Sequence, residues 1–380
     1  MSQGDYVRRL DRSGTGMYGS SSSWFRFHID GPLFFLLLVT LGGGLAVLFS
    51  AGGESLYYVK RQAVWCLIAL TAMVVVAQIS PRFMARWAII PWLLGVCMLA
   101  AVLIIGSGAK GAQRWLEIAG FRFQPSELLK IAVPLMLSSY LGSRVLPPTF
   151  KHVCWSLVLI AIPPALVILQ PDLGTSLLIG ASGFFVLLLA GLPMRYILSA
   201  AAVVAIAVPL MWFYGMHDYQ RQRVLTMFNP EADKLGAGWN IIQSTTAIGS
   251  GGFQGKGWLS GSQAHLEFLP ERHTDFIIAV MAEEFGFIGV MVLLTVYLLI
   301  IIRCLVISLR ARNMFGKLLA GSITLTFFVY IFVNMGMVSG ILPVVGVPLP
   351  MISYGGTSLV TLMLGFGMLM AIGTEEKRGS

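Results

Sequence analysis

From residue 31 to residue 372 the chain alternates between long apolar runs and short polar breaks. A helix crossing about 30 Å of hydrocarbon needs about 20 mostly apolar residues. Ten stretches qualify: 32–51, 63–80, 88–106, 128–142, 153–169, 174–192, 196–215, 286–302, 318–338 and 354–372. The fourth and eighth are short, which predicts that their helices extend outward through the polar residues at their edges. Two longer polar segments interrupt the series, at about 107–127 and about 216–285. The second contains apolar stretches suited to helices (Val224, Leu225, Met227, Phe228; Trp239, Ile241, Ile242), a Gly-rich run at 249–257 and Trp258. Loops of this length carry their own structure or a function. The pattern predicts an all-α polytopic membrane protein of about ten transmembrane helices, with a large structured outer loop and a single membrane domain over 31–373.

Composition agrees. Apolar residues make up 57% of the chain and charged residues 11%, against about 25% charged in soluble proteins. The mean hydropathy is +0.81. A length of 380 residues alone suggests two or three soluble domains, but the even spread of apolar runs overrides that expectation. The net charge of +9 arises from basic residues flanking spans. It comes with no Lys/Arg block or zinc spacing, so it does not indicate a nucleic-acid partner. Cys66, Cys97, Cys154 and Cys304 lie scattered in apolar segments as small packing residues, without a CxxC motif or a disulfide framework.

The first 30 residues are polar and Ser/Gly-rich, too long and polar for a signal-peptide n-region. They read as a disordered cytoplasmic tail, and 374–380 as a second one. With the N-terminus inside, 15 of the 26 Lys and Arg residues fall on the cytoplasmic side, as the positive-inside rule favours. Acids do the opposite: 12 of 17 fall at or near the outer face. Acids contribute little to topology, so their asymmetry wants another explanation, and function at the outer face is one.

Four outer motifs carry the charge. In FLPERHTDF (268–276), Glu271, Arg272, His273 and Asp275 crowd a helix start, and Asp275 continues along one face through Ala279 to Glu283. Capping by Thr274 or Asp275 explains one such residue, not four; ionisable groups at bilayer depth are functional hypotheses. Glu267, Glu271, His273 and Asp275 also offer oxygen and nitrogen ligands for a hard divalent cation such as Mg or Mn, without diagnostic spacing. In GAQRWLEIAGFRFQPSELLK (111–130), Glu127 and Lys130 are i, i+3 neighbours at a span's start, with Arg114 and Arg122 adding positive charge. An exposed pair contributes only about 0.2–0.5 kcal/mol, a weak reason to place one near hydrocarbon. QPDLGTS (170–176) puts Asp172 in a short outer turn, where turn chemistry is an equal explanation. YQRQRV (219–224) supplies Arg221 and Arg223, whose planar donors suit phosphate oxygens; a solvated face is the alternative.

Two stretches read structurally. GSGGFQGKG (249–257) is not a P-loop, which needs Gly at 250 and Ser or Thr at 257 where the chain has Ser250 and Gly257. It reads as a tight turn, with Lys256 open to a phosphate. GILPVVGVPLPMISYGG (340–356) has no charge, and its prolines and glycines predict a re-entrant or packed loop before the last span.

An anionic, lipid-tailed substrate fits a face holding a carboxylate, guanidinium groups and interfacial loops. Two classes satisfy that description: an enzyme acting on a lipid-linked substrate, and a flippase or transporter moving one. Ionisable groups at one face rather than at the midplane favour the enzyme.

These motifs, with RFQPSELLKIAVP (122–134), GAGWNIIQSTTAIGSGG (236–252) and FLPERHTDFIIAVMAEE (268–284), resemble the SEDS family of bacterial wall polymerases over almost the whole chain from about residue 30. Arg272, the compact length and YQRQRV resemble its elongation branch more than its division branch. The resemblance implies ten spans and a peptidoglycan glycosyltransferase using lipid II at the periplasmic surface of the inner membrane. It also implies a class B penicillin-binding protein as transpeptidase partner within the rod-shape elongation machinery. The family's essential aspartate falls on Asp275 and its paired Glu and Lys on Glu127 and Lys130, while Asp172 sits in a motif of less defined role. On this reading Asp275 is the catalytic base, with Arg114, Arg221, Arg223 and Arg272 as phosphate candidates.

Overall fold

A computed structural model of the chain describes residues 27–109, 112–118, 121–216, 218–233, 237–262 and 271–375. Most of both expected tails (1–26 and 376–380) and Glu267 lie outside these residues.

Each of the ten apolar stretches falls on a helix. Helices α1 (Gly31–Ala51) and α2 (Leu56–Ala77) are followed by a short α3 (Pro81–Trp87) and α4 (Ile89–Ile105), which meet at a 46° bend. Next come α5 (Pro125–Gly142), α6 (Phe150–Ile168), α7 (Leu173–Leu189) and α8 (Met194–Leu210). After α9 (Asp218–Phe228) and α10 (Ala237–Gly251), the series closes with α11 (Ile277–Arg310), α12 (Met314–Val338) and α13 (Gly356–Gly373). Among the described residues, seven helices are long and apolar enough to cross a membrane, or eight if the bent pair counts as one span. α7 is a shorter apolar helix, and α5 carries Glu127 and Lys130 in its first turns. The expected outward extensions are present: α5 begins at Pro125 and α11 runs for 34 residues.

Local chemistry sets several starts. Asp30 accepts a hydrogen bond from the Leu33 amide at the head of α1, and Asn313 from the Gly316 amide at the head of α12. Prolines in the first turns of α1, α3 and α5 suit positions whose amides have no helical partner.

One element departs from an all-helical pattern. In the 107–127 segment, β1 (Ser107–Ala109), β2 (Ala112–Ile118) and β3 (Phe121–Phe123) form a small antiparallel sheet. Ser107 pairs with Trp115, and Leu116 with Phe123. The segment has no helical period, and strands of three to seven residues are too short to show a clear period of two.

The helices pack through small residues that let backbones approach closely. A Cβ added at Gly367 of α13 would lie 2.5 Å from the Met73 carbonyl of α2, and one at Gly142 of α5 would lie 2.8 Å from the Phe315 amide. In the core, Tyr297, Phe327 and Phe366 stack edge to face at 5.7 and 5.4 Å. The buried Tyr297 hydroxyl donates to the Pro350 carbonyl at 2.6 Å, the partner such a group requires. Arg303 grips Asp30 through two hydrogen bonds of 2.9 and 2.6 Å, tying α11 to the start of α1. By contrast, no residue of α8 is buried.

The segment between α12 and α13 is the packed irregular loop its composition predicts, with Val347, Leu349, Met351 and Ile352 buried. Non-helical backbone at this depth must find partners in protein. It does so through Asn334 to the Val347 carbonyl, the Leu349 amide to Ser353 Oγ, and Tyr297 to Pro350.

Gly44 of α1 approaches this loop so closely that a Cβ would lie 2.5 Å from the Met351 carbonyl, whereas Gly43 has nothing within 4 Å. Overpacking typically costs about 1–3 kcal/mol. Gly44→Val is expected to lower the thermal denaturation midpoint in detergent by that free energy, while Gly43→Val stays near wild type.

Candidate active site

The charged motifs converge at the end of the bundle that carries the sheet, helices α9 and α10, and the 339–355 loop. A cavity of about 660 Å³ opens there. Its wall includes six of the charged residues those motifs supply: Arg114, Glu127, Lys130, Asp172, Arg223 and Asp275.

Helix α5 contributes the most deeply set charges. Pro125 fixes the helix start, so Glu127 and Lys130 share one face three residues apart. Both are 6% exposed. Lys130 Nζ sits 2.6 Å from Glu127 Oε1 and 5.0 Å from the centre of the Tyr330 ring. The pair is buried, so the small contribution of exposed i, i+3 pairs does not apply. Breaking it leaves an uncompensated charge, which typically costs about 3–5 kcal/mol.

Arg114, on β2, reaches the turn between α6 and α7. Its Nε donates to the Gln170 carbonyl at 3.3 Å, its Nη2 to the Pro171 carbonyl, and its Nη1 lies 3.5 Å from Asp172 Oδ2. Asp172 also caps α7 by accepting from the Thr175 amide at 3.2 Å. The turn reading of Asp172 therefore holds, and the same residue lines the cavity.

Asp275 lies in a turn over 271–276, just ahead of α11, whose cap position is Phe276 and has no side-chain cap hydrogen bond. The turn is tied to the loop and to α12 through its backbone. Asn334 Nδ2 donates to the Asp275 carbonyl at 2.9 Å, Ser353 Oγ to the Thr274 carbonyl at 2.6 Å, and the Tyr354 amide to the His273 carbonyl at 2.9 Å. Gly346 faces the carboxylate, and a Cβ there would lie 3.4 Å from Asp275 Oδ2. A second cavity of about 420 Å³ lies beside the first. Arg223, Thr274, Asp275 and Gly346 line both, so Asp275 stands on a shared wall. A narrow apolar recess of about 60 Å³ leads inward from Glu127 and Lys130, lined by Ile131, Ile323, Phe327, Tyr330 and Leu359.

Arg221, Arg272 and His273 lie off the larger cavity's wall. Arg221 donates to the Trp212 and Phe213 carbonyls at 2.9 and 3.0 Å and so ties α9 to the π-helical turn Met211–Gly215 that continues α8. Arg272 reaches toward Gly53, in the turn between α1 and α2. His273 packs against Tyr58 and Tyr354 at 5.1 and 6.1 Å between ring centres. Burial, opposed by Glu271 and reinforced by Arg272, holds its imidazole below the ordinary range. Lys256 of the Gly-rich run lies 2.6 Å from Glu283 and lines neither cavity, which removes it as a phosphate contact there. Among the described residues, no group of three His, Cys, Asp or Glu side chains is placed to hold a metal ion.

Arg61 and Trp65, one turn apart on α2, line the larger cavity with Trp115 and escaped the sequence reading. A charge within the stretch that becomes α2 was their available signal. Asn334, a buried amide in an apolar helix, was likewise legible as an interhelical tie.

A bundle of apolar helices with a charge-lined cavity at one end defines a polytopic membrane protein that handles a polar or anionic group at its surface. The chain belongs to the SEDS family: the FtsW/RodA/SpoVE model, described as cell cycle protein, matches residues 33–378. It is 52% identical to the peptidoglycan glycosyltransferase MrdB of Escherichia coli, over 93% of this chain and 96% of that protein. It is 39% identical to a probable peptidoglycan glycosyltransferase FtsW of Geobacter metallireducens, over 85% and 87% of the two chains. Among solved structures, a chain from a peptidoglycan synthase complex that coordinates polymerization and crosslinking superposes with a TM-score of 0.81 at 29% identity, covering 92% of this chain and 99% of that one. The rod shape determining protein RodA of Thermus thermophilus superposes with a TM-score of 0.70 at 27% identity, covering 92% and 98%.

Lys130→Met is expected to destabilise the protein by about 3–5 kcal/mol. The double variant Glu127→Gln/Lys130→Met should recover most of that loss, because neither charge is then buried alone. Thermal midpoints in detergent check both.

Proposed function

We propose that the chain polymerises lipid II, the undecaprenyl-pyrophosphate-linked disaccharide-peptide, into glycan strands at the periplasmic face of the bacterial inner membrane during cell elongation. It is a peptidoglycan glycosyltransferase. The observation that carries the finer reading is the position of Asp275 between two cavities, because a transfer joining two lipid-linked chains needs one base with a substrate on either side.

Asp275 accepts the proton of the GlcNAc 4-hydroxyl as that oxygen attacks the MurNAc anomeric carbon. The bond from that carbon to the pyrophosphate oxygen breaks, and undecaprenyl pyrophosphate leaves with the electron pair. An α-linked donor yielding a β-1,4 product implies one displacement, so a single base suffices and no protein nucleophile is needed (compare inverting hydrolysis). Arg61, Arg114, Lys130 and Arg223 line the larger cavity, where fixed cations stabilise the leaving pyrophosphate in a water-poor site. Glu127 and Asp172 balance Lys130 and Arg114, holding those cations in place. Arg221, Arg272 and His273 act from outside the larger cavity by fixing α9 and the 271–276 turn. Two carboxylates already committed to cations make a poor cage for Mg or Mn; a divalent ion enters this scheme with the substrate's pyrophosphate.

The ten helices form ten spans with both termini cytoplasmic, in keeping with the basic residues at that end. The transpeptidase partner is a class B penicillin-binding protein of the elongation machinery. A glycan strand made here must be crosslinked elsewhere, and the solved relative is described in a complex that coordinates both steps.

Purified full-length protein with its penicillin-binding partner and lipid II, with and without Mg or Mn, tests this directly. Asp275→Asn is expected to cut polymer formation by about 10²–10⁴ with an unchanged thermal midpoint. Polymerisation at the wild-type rate would refute Asp275 as base. Transfer of labelled lipid II across proteoliposome leaflets without polymer would establish the flippase instead.

A further inference from the structure

Helix α11, which begins two residues after Asp275, is broken at Gly286, where φ is +64° and ψ −162°. That region of backbone space is open essentially to glycine alone. A continuous helix would bond the Phe287 amide to the Glu283 carbonyl and the Ile288 amide to the Glu284 carbonyl. Here the Gly-rich run intervenes. Lys256 and Gly257 donate to the carbonyls of Glu283 and Glu284 at 3.0 and 2.9 Å, while Phe287 and Ile288 donate to the carbonyls of Gly252 and Phe253 at 2.9 and 3.2 Å. Two helical hydrogen bonds are thus exchanged for four to a strap over 252–257.

The strap fits only because its contacts lack side chains. A Cβ at Gly251 would lie 2.0 Å from the Ala282 carbonyl, one at Gly255 2.2 Å from the Glu284 carbonyl, and one at Gly286 2.3 Å from the Gly255 amide nitrogen. Side chains then pin it. Lys256 Nζ meets Oε1 of the fully buried Glu283 at 2.6 Å, and Ser262 Oγ donates to the same oxygen at 3.0 Å. On the far side Ser50 of α1 donates to the buried Glu284.

We infer that Lys256 is a positioning residue for the transfer reaction: through Glu283 it pins the strap that sets the direction of Ile277–Phe285, and so aims Asp275 into the cavities. The inference rests on Asp275 being the base proposed above. The helical stretch Ile277–Phe285 rises about 13 Å, so a swing of about 10° at Gly286 moves its start by about 2 Å. Misplacing a reacting group by about 1 Å can cost on the order of 10² in rate. The hydrogen bonds from Asn334, Ser353 and Tyr354 locate the 271–276 backbone; the strap orients the helix that follows.

The test uses full-length protein with its transpeptidase partner and lipid II, alongside amide hydrogen exchange of the strap. Lys256→Met leaves Glu283 without its lysine, so the double variant Lys256→Met/Glu283→Gln is measured beside it to keep the fold intact. Expected are at least tenfold faster exchange at Lys256 and Gly257, a fall in kcat of about 10- to 100-fold, and KM within about twofold of wild type. Lys256→Arg should restore at least half of kcat. Faster strap exchange with wild-type kcat overturns the inference and leaves Asp275 as base; so does unchanged exchange, because the ion pair then pins nothing. A raised KM with unchanged kcat overturns it in favour of direct substrate contact by Lys256. Wild-type polymerisation by Asp275→Asn removes the proposed base, and this inference with it.

Discussion

Asn334 donates its side-chain amide to two carbonyls, of Asp275 at 2.9 Å and of Val347 at 2.7 Å. It stands on α12, which packs against α5, α7, α11 and α13, and it is fully buried. One rigid helix therefore locates both the turn that carries the carboxylate and the loop that faces it. The arrangement answers a constraint stronger in lipid than in water: backbone that leaves the helix must find its partners within the protein. Ser353 and Tyr297 serve the same end, and together they allow an irregular loop to form a cavity wall beside an apolar core.

Charge is managed by pairing. Glu127 meets Lys130, Asp172 meets Arg114, Glu283 meets Lys256 and Asp30 meets Arg303. A buried ion pair adds little net stability, but losing one partner is costly. Such pairs therefore specify geometry more than they hold the fold together. The first two pairs shape the cavity, the third fixes a broken helix beside it, and the fourth ties the opposite end of the bundle.

Much of this was legible beforehand. Runs of apolar residues marked where ten of the helices lie, because helix length against hydrocarbon thickness is a one-dimensional property. Clustered acids and arginines near the span ends pointed to Asp275, Glu127 and Lys130, since ionisable groups at that depth need a reason. The Gly-rich run read as structural, and it is. The small sheet over 107–123 was missed because its strands are short and hydropathy does not report strand pairing. Arg61 and Trp65 were missed because a charged residue and an aromatic residue at a helix head look like ordinary interfacial anchoring.

Hydropathy and charge placement by themselves determined that the chain is a polytopic helical membrane protein with its ionisable groups gathered toward one face. Both are sums over neighbouring residues, and neither depends on how helices meet. Only the tertiary structure decided which charges share a cavity. Arg114 comes from a strand, Glu127 and Lys130 from α5, Asp172 from the α6–α7 turn, and Asp275 from the start of α11. Arg221, Arg272 and His273, equally prominent in the sequence, turn to backbone carbonyls, a neighbouring turn and aromatic rings instead. The difference lies in packing: close glycine contacts and a few buried hydrogen bonds set the direction in which each helix end points, and those depend on residues far apart along the chain.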